Sequence, residues 1–180
     1  MVINLLNRLL RDSTRALERA FIAAVFTVFT STAVYAQWSD VASTRSLSER
    51  EALVHSENAA ELRIWLEQDH TVRMQFKLAP GLVGLSQECV TIQIDDAAMH
   101  DLSATAFECA TDGDSVRLLL ARAENDRINS AVLADLMNGR RVTLRYRLSQ
   151  AGYGSARFSL KGSKQALGDV LSADMTVVTE

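Results

Sequence analysis

Apolar and polar side chains alternate along two neighbouring segments of the chain, which is the pattern of β-strands that bury one face. In residues 61–67 (ELRIWLE), Leu62, Ile64 and Leu66 fall on one side. Residues 71–78 (TVRMQFKL) alternate in the same way after the turn-forming residues QDH. The two segments predict an antiparallel β-hairpin.

Four later segments are also predicted to be strands, three of them by the same alternation. They are residues 89–95 (CVTIQID), 115–122 (SVRLLLAR), 140–148 (RRVTLRYRL) and 156–160 (ARFSL). The residues TDGD around Gly113 predict a tight turn before the second of them. Such a series favours a mostly β fold, either an antiparallel β-sandwich or a partly closed barrel.

One or two short helices are expected to accompany the strands. Apolar residues recur at helical spacing in residues 130–139 (SAVLADLMNG), where Ser130 suits the N-cap and Gly139 suits the C-terminal end. A second helix is predicted after Gly162, with Ser163 as its N-cap and an apolar face further along.

The chain divides into three parts by composition. Residues 1–36 are predicted to be a signal peptide, residues 37–59 an extended lead-in, and residues 60–180 a single β-rich domain. The lead-in is polar and weakly patterned, and one short helix is predicted in it around Ser48–His55.

The first part has the regions of a secretory signal peptide. Four arginines precede an uncharged run, and small residues at Val34 and Ala36 indicate cleavage after Ala36. The alternative is an uncleaved membrane anchor, but the run from Phe21 to Ala36 has 16 residues, whereas a comfortable span needs roughly 20. We therefore expect a mature protein that begins at Gln37, has no transmembrane span, and resides in the periplasm or outside the cell.

Export bears on the state of the two cysteines, Cys89 and Cys109. An isolated pair in an oxidising compartment most often forms a disulfide, so we predict one here. A zinc site is a poor alternative because the cysteines are 20 residues apart and the three histidines are scattered. No metal ligand is assigned from the sequence.

The net charge of the chain argues against nucleic acid as a partner. The full sequence carries −3, and residues 1–36 hold four of its 19 basic and two of its 22 acidic residues, so the remainder carries −5. Nucleic-acid-binding domains are typically basic. We expect an unidentified protein, a glycan or a lipid headgroup as the partner instead.

One part of this acidic chain is nevertheless basic. By strand parity, five cationic side chains share the outward face of the hairpin formed by residues 140–148 (RRVTLRYRL) and 156–161 (ARFSLK). They are Arg141, Arg145, Arg147, Arg157 and Lys161. One interpretation is a binding site for an anionic surface, such as lipid headgroups, an acidic glycan or an acidic protein. The alternative is a solvated face, whose arginines cover apolar surface and pair with acidic residues of neighbouring strands.

The segment Gly162-Ser163-Lys164 follows a strand and precedes a predicted helix, as phosphate-binding loops do. The Walker motif requires a lysine directly after its second glycine and another glycine five residues before that one. Here Ser163 intervenes, and Arg157 stands at the earlier position. We interpret the segment as a corner between strand and helix, and we predict no cofactor.

No residues have the pattern of a catalytic site. The carboxylate clusters are interpreted as turn residues: Asp95, Asp96, Asp112 and Asp114. A periplasmic hydrolase remains an alternative because catalytic triads assemble in space. Another alternative is a carrier of small apolar ligands, with an interior lined by aromatic residues: Phe76, Tyr146 and Phe158.

Two stretches of the C-terminal half, LADLMNGRRVTLRY (133–146) and RFSLKGSKQAL (157–167), are similar to the invasion-associated locus B family of exported bacterial proteins. The resemblance covers roughly residues 128–171. It implies a mostly β fold, export, a link to host-cell invasion in some pathogens, and no established enzymatic activity. We therefore expect a non-catalytic binding protein of the bacterial cell envelope.

Overall fold

The computed structural model describes residues 37–42, 50–82, 84–101, 108–150, 152–171 and 175–179. They fall within one compact unit of the chain, residues 35–180. The predicted signal peptide lies outside the described residues. The strands of the described part are β1 (Ser39–Ala42), β2 (Arg50–His55), β3 (Glu61–Leu66), β4 (Thr71–Lys77), β5 (Thr91–Ile94), β6 (His100–Asp101), β7 (Cys109–Asp112), β8 (Ser115–Glu124), β9 (Arg127–Asn129), β10 (Arg141–Leu148), β11 (Gly152–Ser159) and β12 (Thr176–Val178). Its helices are α1 (Ala131–Asn138) and α2 (Ser163–Leu171).

The strands form two sheets. The larger, sheet A, has the order β1-β2-β3-β4-β8-β9-β12, and β7 also pairs with β8. The smaller, sheet B, has the order β11-β10-β5-β6. Neighbouring strands are antiparallel except for β9 and β12, which are parallel. Sheet A curls into a half-barrel, so the predicted fold class, a mostly β sandwich or partly closed barrel with short helices, is confirmed.

Strands β3 and β4 form the predicted hairpin. Leu62 pairs with Phe76 across it, and both side chains are fully buried. The pairing of β4 with β8 shifts register between Val72 and Arg73. A β-bulge increases local twist, which is consistent with the curl of sheet A.

The helix predicted around Ser48–His55 is wrong for the described residues of that segment. Arg50–His55 is strand β2, which pairs with β3 and buries Ala52 and Val54 completely. Glutamate, alanine and leucine in REALVH favour a helix in isolation. Strand pairing and the burial of alternate positions override that preference here. The lead-in thus contributes two strands, β1 and β2, to sheet A.

Helix α1 has the predicted ends. The Ser130 hydroxyl accepts a hydrogen bond from the Leu133 N–H, and the Gly139 N–H donates to the Asp135 carbonyl. Gly139 is not in the left-handed conformation. Glycine is required there because a Cβ would lie 2.7 Å from Cγ2 of Ile94, so the end of α1 lies directly against sheet B.

The hydrophobic core contains side chains from both sheets and both helices. Helix α2 packs against β1, β2 and β3, and α1 packs against α2, β8 and β12. The largest fully buried side chains are Phe76, Phe158, Leu62, Ile64, Met74, Ile92, Leu118, Leu120, Ile128, Leu133 and Leu136. On the face of sheet B away from this core, the outward positions of β10 and β11 include several exposed side chains.

The predicted disulfide is confirmed. Cys89 and Cys109 are bonded, and their Cα atoms are 6.0 Å apart. Cys109 begins β7 in sheet A, and Cys89 lies just before β5 in sheet B. The bridge therefore links the two sheets covalently.

Candidate functional site

The outward side of sheet B is basic. Buried and exposed residues alternate along β10 and β11, and the exposed positions include four of the predicted binding residues. We call the surface formed by these four the basic face: Arg141, Arg145, Arg147 and Arg157. The register pairs Arg157 with Thr143, so Arg157 lies diagonally across from Arg141 and Arg145, which are two residues before and after Thr143.

The core beneath the basic face fixes the strands that carry it. The Tyr146 ring points inward and contacts the Phe76 ring, with 5.2 Å between centroids. It also lies against Gly154, where a Cβ would be 2.5 Å from the Tyr146 ring. Burial raises the pKa of the Tyr146 phenol above its ordinary value of 10.0.

Two arginines of the basic face have carboxylate partners. Arg147 forms an ion pair with Glu88, and its guanidinium lies 5.8 Å from the centroid of the Tyr153 ring, within cation–π range. Arg141 lies 3.9 Å from Asp96, and both side chains are more than half exposed. Exposed pairs of this kind contribute little to stability.

The other two arginines, Arg145 and Arg157, are exposed and form no ion pair or side-chain hydrogen bond within the described part of the chain. Their cross-strand neighbours are uncharged: Arg145 lies between Ser155 and Thr91, and Arg157 pairs with Thr143. The alternative of a solvated face whose arginines pair with carboxylates therefore fits Arg141 and Arg147 but not Arg145 and Arg157.

Lys161 does not share a strand with the four arginines. It follows the end of β11 in the turn that leads to α2, and its N–H donates to the Ser159 hydroxyl at 3.2 Å. Its side chain is exposed. Of the five predicted cationic residues, the structure thus brings four together on β10 and β11 and leaves Lys161 beyond the end of the hairpin.

A groove of about 320 Å³ adjoins the basic face beside the disulfide. Its lining is Glu88, Cys89, Thr91, Met99, Arg145, Tyr146, Arg147 and Tyr153. Met99 and Tyr153 are unusually exposed for large apolar side chains, at 51% and 78%. Sequence reasoning missed both. Strand parity selects Tyr153, four residues before Arg157, but Met99 precedes β6 and gives no such signal.

The segment Gly162-Ser163-Lys164 is a corner, as interpreted from the sequence. Gly162 has a φ of +86°, in the left-handed region, and α2 begins at the next residue. The N-cap prediction for Ser163 is wrong, because its hydroxyl instead donates to the Leu136 carbonyl of α1 at 2.7 Å.

The carboxylate clusters have structural partners. Asp95 adopts a positive φ, and its carboxylate accepts hydrogen bonds from the N–H groups of Arg140 and Arg141 at 3.0–3.1 Å. Asp114 lies 3.8 Å from the Lys77 ammonium. The described residues contain no group of three His, Cys, Asp or Glu side chains placed to hold a metal ion. The histidines lie on separate elements: His55 in β2, His70 between β3 and β4, and His100 in β6.

Sheet A carries a second set of arginines, and these are paired. Arg73 bridges Glu67 at 2.7 Å and Glu108 at 3.4 Å. Burial acts to raise the pKa of Glu67, but hydrogen bonds from Arg73 and Thr71 outweigh it and hold the pKa below its ordinary value. Arg73 thus has two carboxylate partners, whereas Arg145 and Arg157 of the basic face have none among the described residues.

Arg63 repeats the arrangement between β2 and β3. It lies 3.2 Å from Glu51 and 2.8 Å from Glu61. Burial acts to raise the pKa of Glu61, and the hydrogen bond from Arg63 outweighs it, so that the pKa is lowered. These pairs serve the stability of sheet A.

The three aromatic residues considered as a carrier's lining belong to the core. The Phe76 ring lies 5.2 Å from that of Tyr146 and 6.3 Å from that of Phe158, the second pair edge to face. All three side chains are buried. The rings contact one another, which agrees with the interpretation of an ordinary core.

Comparisons of the chain with protein-family models, with curated proteins and with solved structures give no match. The resemblance of residues 128–171 to the invasion-associated locus B family stays a prediction from the quoted motifs. No helix among the described residues combines the length and apolar character that a membrane crossing requires.

Proposed function

We propose that this protein is an exported, non-catalytic binding protein of the bacterial cell envelope, and that its basic face binds an anionic surface. One observation carries the proposal: Arg145 and Arg157 are exposed on adjacent strands without a carboxylate partner among the described residues. They belong to a chain of net charge −3, so the positive charge is local.

The chemistry of the arginines favours an anionic partner. Guanidinium groups form paired, charge-assisted hydrogen bonds with carboxylates and phosphates. Arg145 and Arg157 lie on adjacent strands without a carboxylate partner among the described residues, so they repel each other, and a layer of anionic groups relieves that repulsion. An exposed sheet face suits an extended surface, such as lipid headgroups or an acidic glycan, because the charges lie side by side along two strands.

Export is supported by the covalent state of the chain. The disulfide between Cys89 and Cys109 joins the two sheets, and such bridges persist mainly in oxidising compartments. A signal peptide over residues 1–36, cleaved after Ala36, would supply the route. The resemblance to the invasion-associated locus B family agrees with this location in the periplasm or outside the cell.

The test is cosedimentation of the purified mature protein with vesicles containing phosphatidylglycerol, and separately its retention on immobilised heparin. The variant Arg145→Gln/Arg157→Gln removes two positive charges from the basic face. It should bind anionic vesicles roughly 30-fold more weakly, since each basic residue near an anionic membrane contributes about 1 kcal/mol. Retention on heparin should fall as well if an acidic glycan is the partner.

The matched control is Arg117→Gln/Arg127→Gln, which removes two exposed charges from β8 and β9 of sheet A. This variant has the same net charge as the first and should bind like the unmodified protein. Equal losses in the two variants would mean that net charge alone drives binding. That outcome, or an unmodified protein that binds neither vesicles nor heparin, contradicts the proposal.

A further inference from the structure

Among the strands of the described residues, β11 is terminal in sheet B and pairs with β10 alone. The two strands keep one register along their length, with Val142 opposite Phe158 and Leu148 opposite Gly152. In an antiparallel pair, alternate residues direct their backbone N–H and C=O groups toward the partner strand, and the residues between them direct theirs away. The hydrogen bonds of β10 show which residues of β11 do which.

The carbonyl groups of Arg141 and Arg147 accept hydrogen bonds from the N–H groups of Asp95 and Ser86, which lie on the β5 side of β10. Odd-numbered residues of β10 therefore bond toward β5, and even-numbered residues bond toward β11. Through the register, even-numbered residues of β11 bond to β10. Its odd-numbered residues direct their backbone groups away from the sheet. Ser159 agrees, because its carbonyl accepts a hydrogen bond from the indole N–H of Trp38 at 2.8 Å.

The middle of this edge is open as far as the described residues extend. Tyr153, Ser155 and Arg157 present N–H and C=O groups that have no hydrogen-bond partner among the described residues. All three side chains are exposed as well. Soluble proteins usually cover, shorten or interrupt such an edge, because a regular open edge is a template for another strand.

We propose that a second copy of this chain pairs with this edge, β11 against β11 in antiparallel orientation, about a two-fold axis at Ser155. In this register each Ser155 lies opposite the Ser155 of the second copy. Each Tyr153 lies opposite an Arg157. All three edge residues of each copy then have backbone partners.

The ends of β11 select this register over its neighbours. With the axis at Ala156, Tyr153 would lie opposite Ser159, whose carbonyl is already bonded to Trp38. With the axis at Gly154, Arg157 would lie beyond the start of the partner strand, since β11 begins at Gly152. The axis at Ser155 avoids both defects.

A second copy also fits the edge chemically. Arg157 opposite Tyr153 gives a cross-strand cation–π pair of the kind that Arg147 and Tyr153 form within one chain. The two Arg157 residues are separated by four residues of strand, roughly 14 Å at about 3.4 Å each. The second copy's Arg157 lies nearer to Arg147, which is opposite Tyr153 in β10, at two strand spacings or roughly 10 Å. Both distances exceed the screening length of about 8 Å at physiological salt, and Arg147 is paired with Glu88, so the two copies repel each other weakly.

The pairing would extend the basic face. Directly opposed side chains of an antiparallel pair lie on the same side of the sheet, so the arginines of both copies would form one surface on a continuous sheet. A doubled surface binds an extended partner with avidity. The pairing does not depend on the proposed function, because the edge is open whether or not the arginines bind an anion.

The variant Ser155→Cys tests the register. Opposed Cα atoms of a hydrogen-bonded antiparallel pair lie about 5.5 Å apart, which is within disulfide range. Both native cysteines are bonded to each other, so the new thiol is the only free one, and mild oxidation should give a covalent dimer. Tyr153→Cys alone is the matched control and should not cross-link. A mixture of Tyr153→Cys and Arg157→Cys should give heterodimers.

The variant Ser155→Pro tests the backbone hydrogen bonds. The Ser155 N–H faces the open edge, so proline removes a donor that only the dimer uses and leaves the pairing with β10 intact. In sedimentation velocity, the unmodified protein should dimerise with increasing concentration, and Ser155→Pro should remain monomeric. Its melting temperature should equal that of the unmodified protein at concentrations where the latter is still a monomer. Ser155→Thr keeps the N–H and should dimerise like the unmodified protein.

Three results would overturn the pairing. They are a protein that stays monomeric at all concentrations, cross-linking of Ser155→Cys no faster than that of Tyr153→Cys, or a dimer that survives Ser155→Pro. A monomer that binds anionic vesicles would contradict the pairing and leave the proposed function intact. A dimer with the expected cross-links that binds no anionic surface would contradict the proposed function alone.

Discussion

The hydroxyl of Ser163 donates a buried hydrogen bond of 2.7 Å to the carbonyl oxygen of Leu136, 27 residues earlier in the chain. Leu136 lies in the last turn of α1, where carbonyl groups lack intrahelical donors. The N–H of Arg140, four residues on, bonds to the Asp95 carboxylate instead. Ser163 therefore satisfies an acceptor that α1 itself leaves open, and it joins α1 to the first residue of α2.

Replacing Ser163 with alanine tests how much this hydrogen bond contributes to stability. The substitution leaves the Leu136 carbonyl buried without a donor, so the free energy of unfolding should fall by about 1–2 kcal/mol. Chemical denaturation measures it. Ser155→Ala is the control, because Ser155 is exposed and should tolerate the change within about 0.5 kcal/mol. Equal effects at the two sites would contradict the structural role of Ser163.

Two helix-associated glycines should respond in opposite directions to alanine. At Gly139 a Cβ would lie 2.7 Å from Ile94 and 2.9 Å from the Asp135 carbonyl, so Gly139→Ala should destabilise the protein by about 1–3 kcal/mol. At Gly168, inside α2, a Cβ would meet nothing within 4 Å. Gly168→Ala should therefore stabilise by about 0.5–1 kcal/mol, the difference in helix propensity. Thermal unfolding of both variants checks the signs, and a stabilising Gly139→Ala would be inconsistent with the packing of α1 on sheet B.

The elements that the sequence predicted are those whose local pattern agrees with their tertiary environment. The hairpin of β3 and β4 alternates clearly because one face is buried, and α1 has its Ser130 cap and its terminal Gly139. The composition of β2 predicts a helix, but its hairpin pairing with β3 and the burial of its alternate positions outweigh that preference. The hydrogen bond from Ser163 to Leu136 spans 27 residues, so no local pattern in the sequence indicates it.

The candidate site was predictable to the extent that it follows strand parity. Parity places Arg141, Arg145, Arg147 and Arg157 on one face, and the structure agrees. Which of them are neutralised depends on residues from other parts of the chain. Glu88 reaches Arg147 from the segment before β5, and sequence spacing of 59 residues gives no sign of it.

The stability of sheet A should depend on pH through Glu67. Its pKa in the folded state lies below the ordinary value of 4.5, so the folded state binds fewer protons than the unfolded state in this region. The stabilisation is present above pH 4.5 and is lost as the pH falls through the folded-state pKa. Glu67→Gln should lower the urea midpoint of unfolding at neutral pH. As the pH falls below 4.5, the midpoint of this variant should decrease less steeply than that of the unmodified protein.

The control for this pH dependence is Glu57→Gln, at an exposed carboxylate in the turn between β2 and β3. Its urea midpoint should follow that of the unmodified protein at every pH. A Glu67→Gln variant with an unaltered acid profile would mean that the hydrogen bonds from Arg73 and Thr71 add no stability.

Loss of the inter-sheet disulfide should destabilise the folded state without abolishing it. Cys89→Ser/Cys109→Ser removes a bridge that closes a loop of 20 residues, for which chain entropy predicts about 3 kcal/mol. The free energy of unfolding of this variant should equal that of the unmodified protein after its disulfide has been reduced. The intact mass of the oxidised unmodified protein should be lower than that of its reduced form by two hydrogens. A free thiol in the purified native protein would contradict the bridge.

The salt dependence of binding to anionic vesicles tests the proposed role of the basic face most directly. The screening length shrinks from about 10 Å at about 0.1 M salt to about 3 Å at about 1 M, so an electrostatic contact through Arg145 and Arg157 must weaken over this range. We expect the unmodified mature protein to bind phosphatidylglycerol vesicles at low salt, to release them at high salt, and to ignore zwitterionic vesicles throughout. Binding that is absent at low salt, or that is equal for both kinds of vesicle and unaffected by salt, would contradict an anionic-surface site on this face.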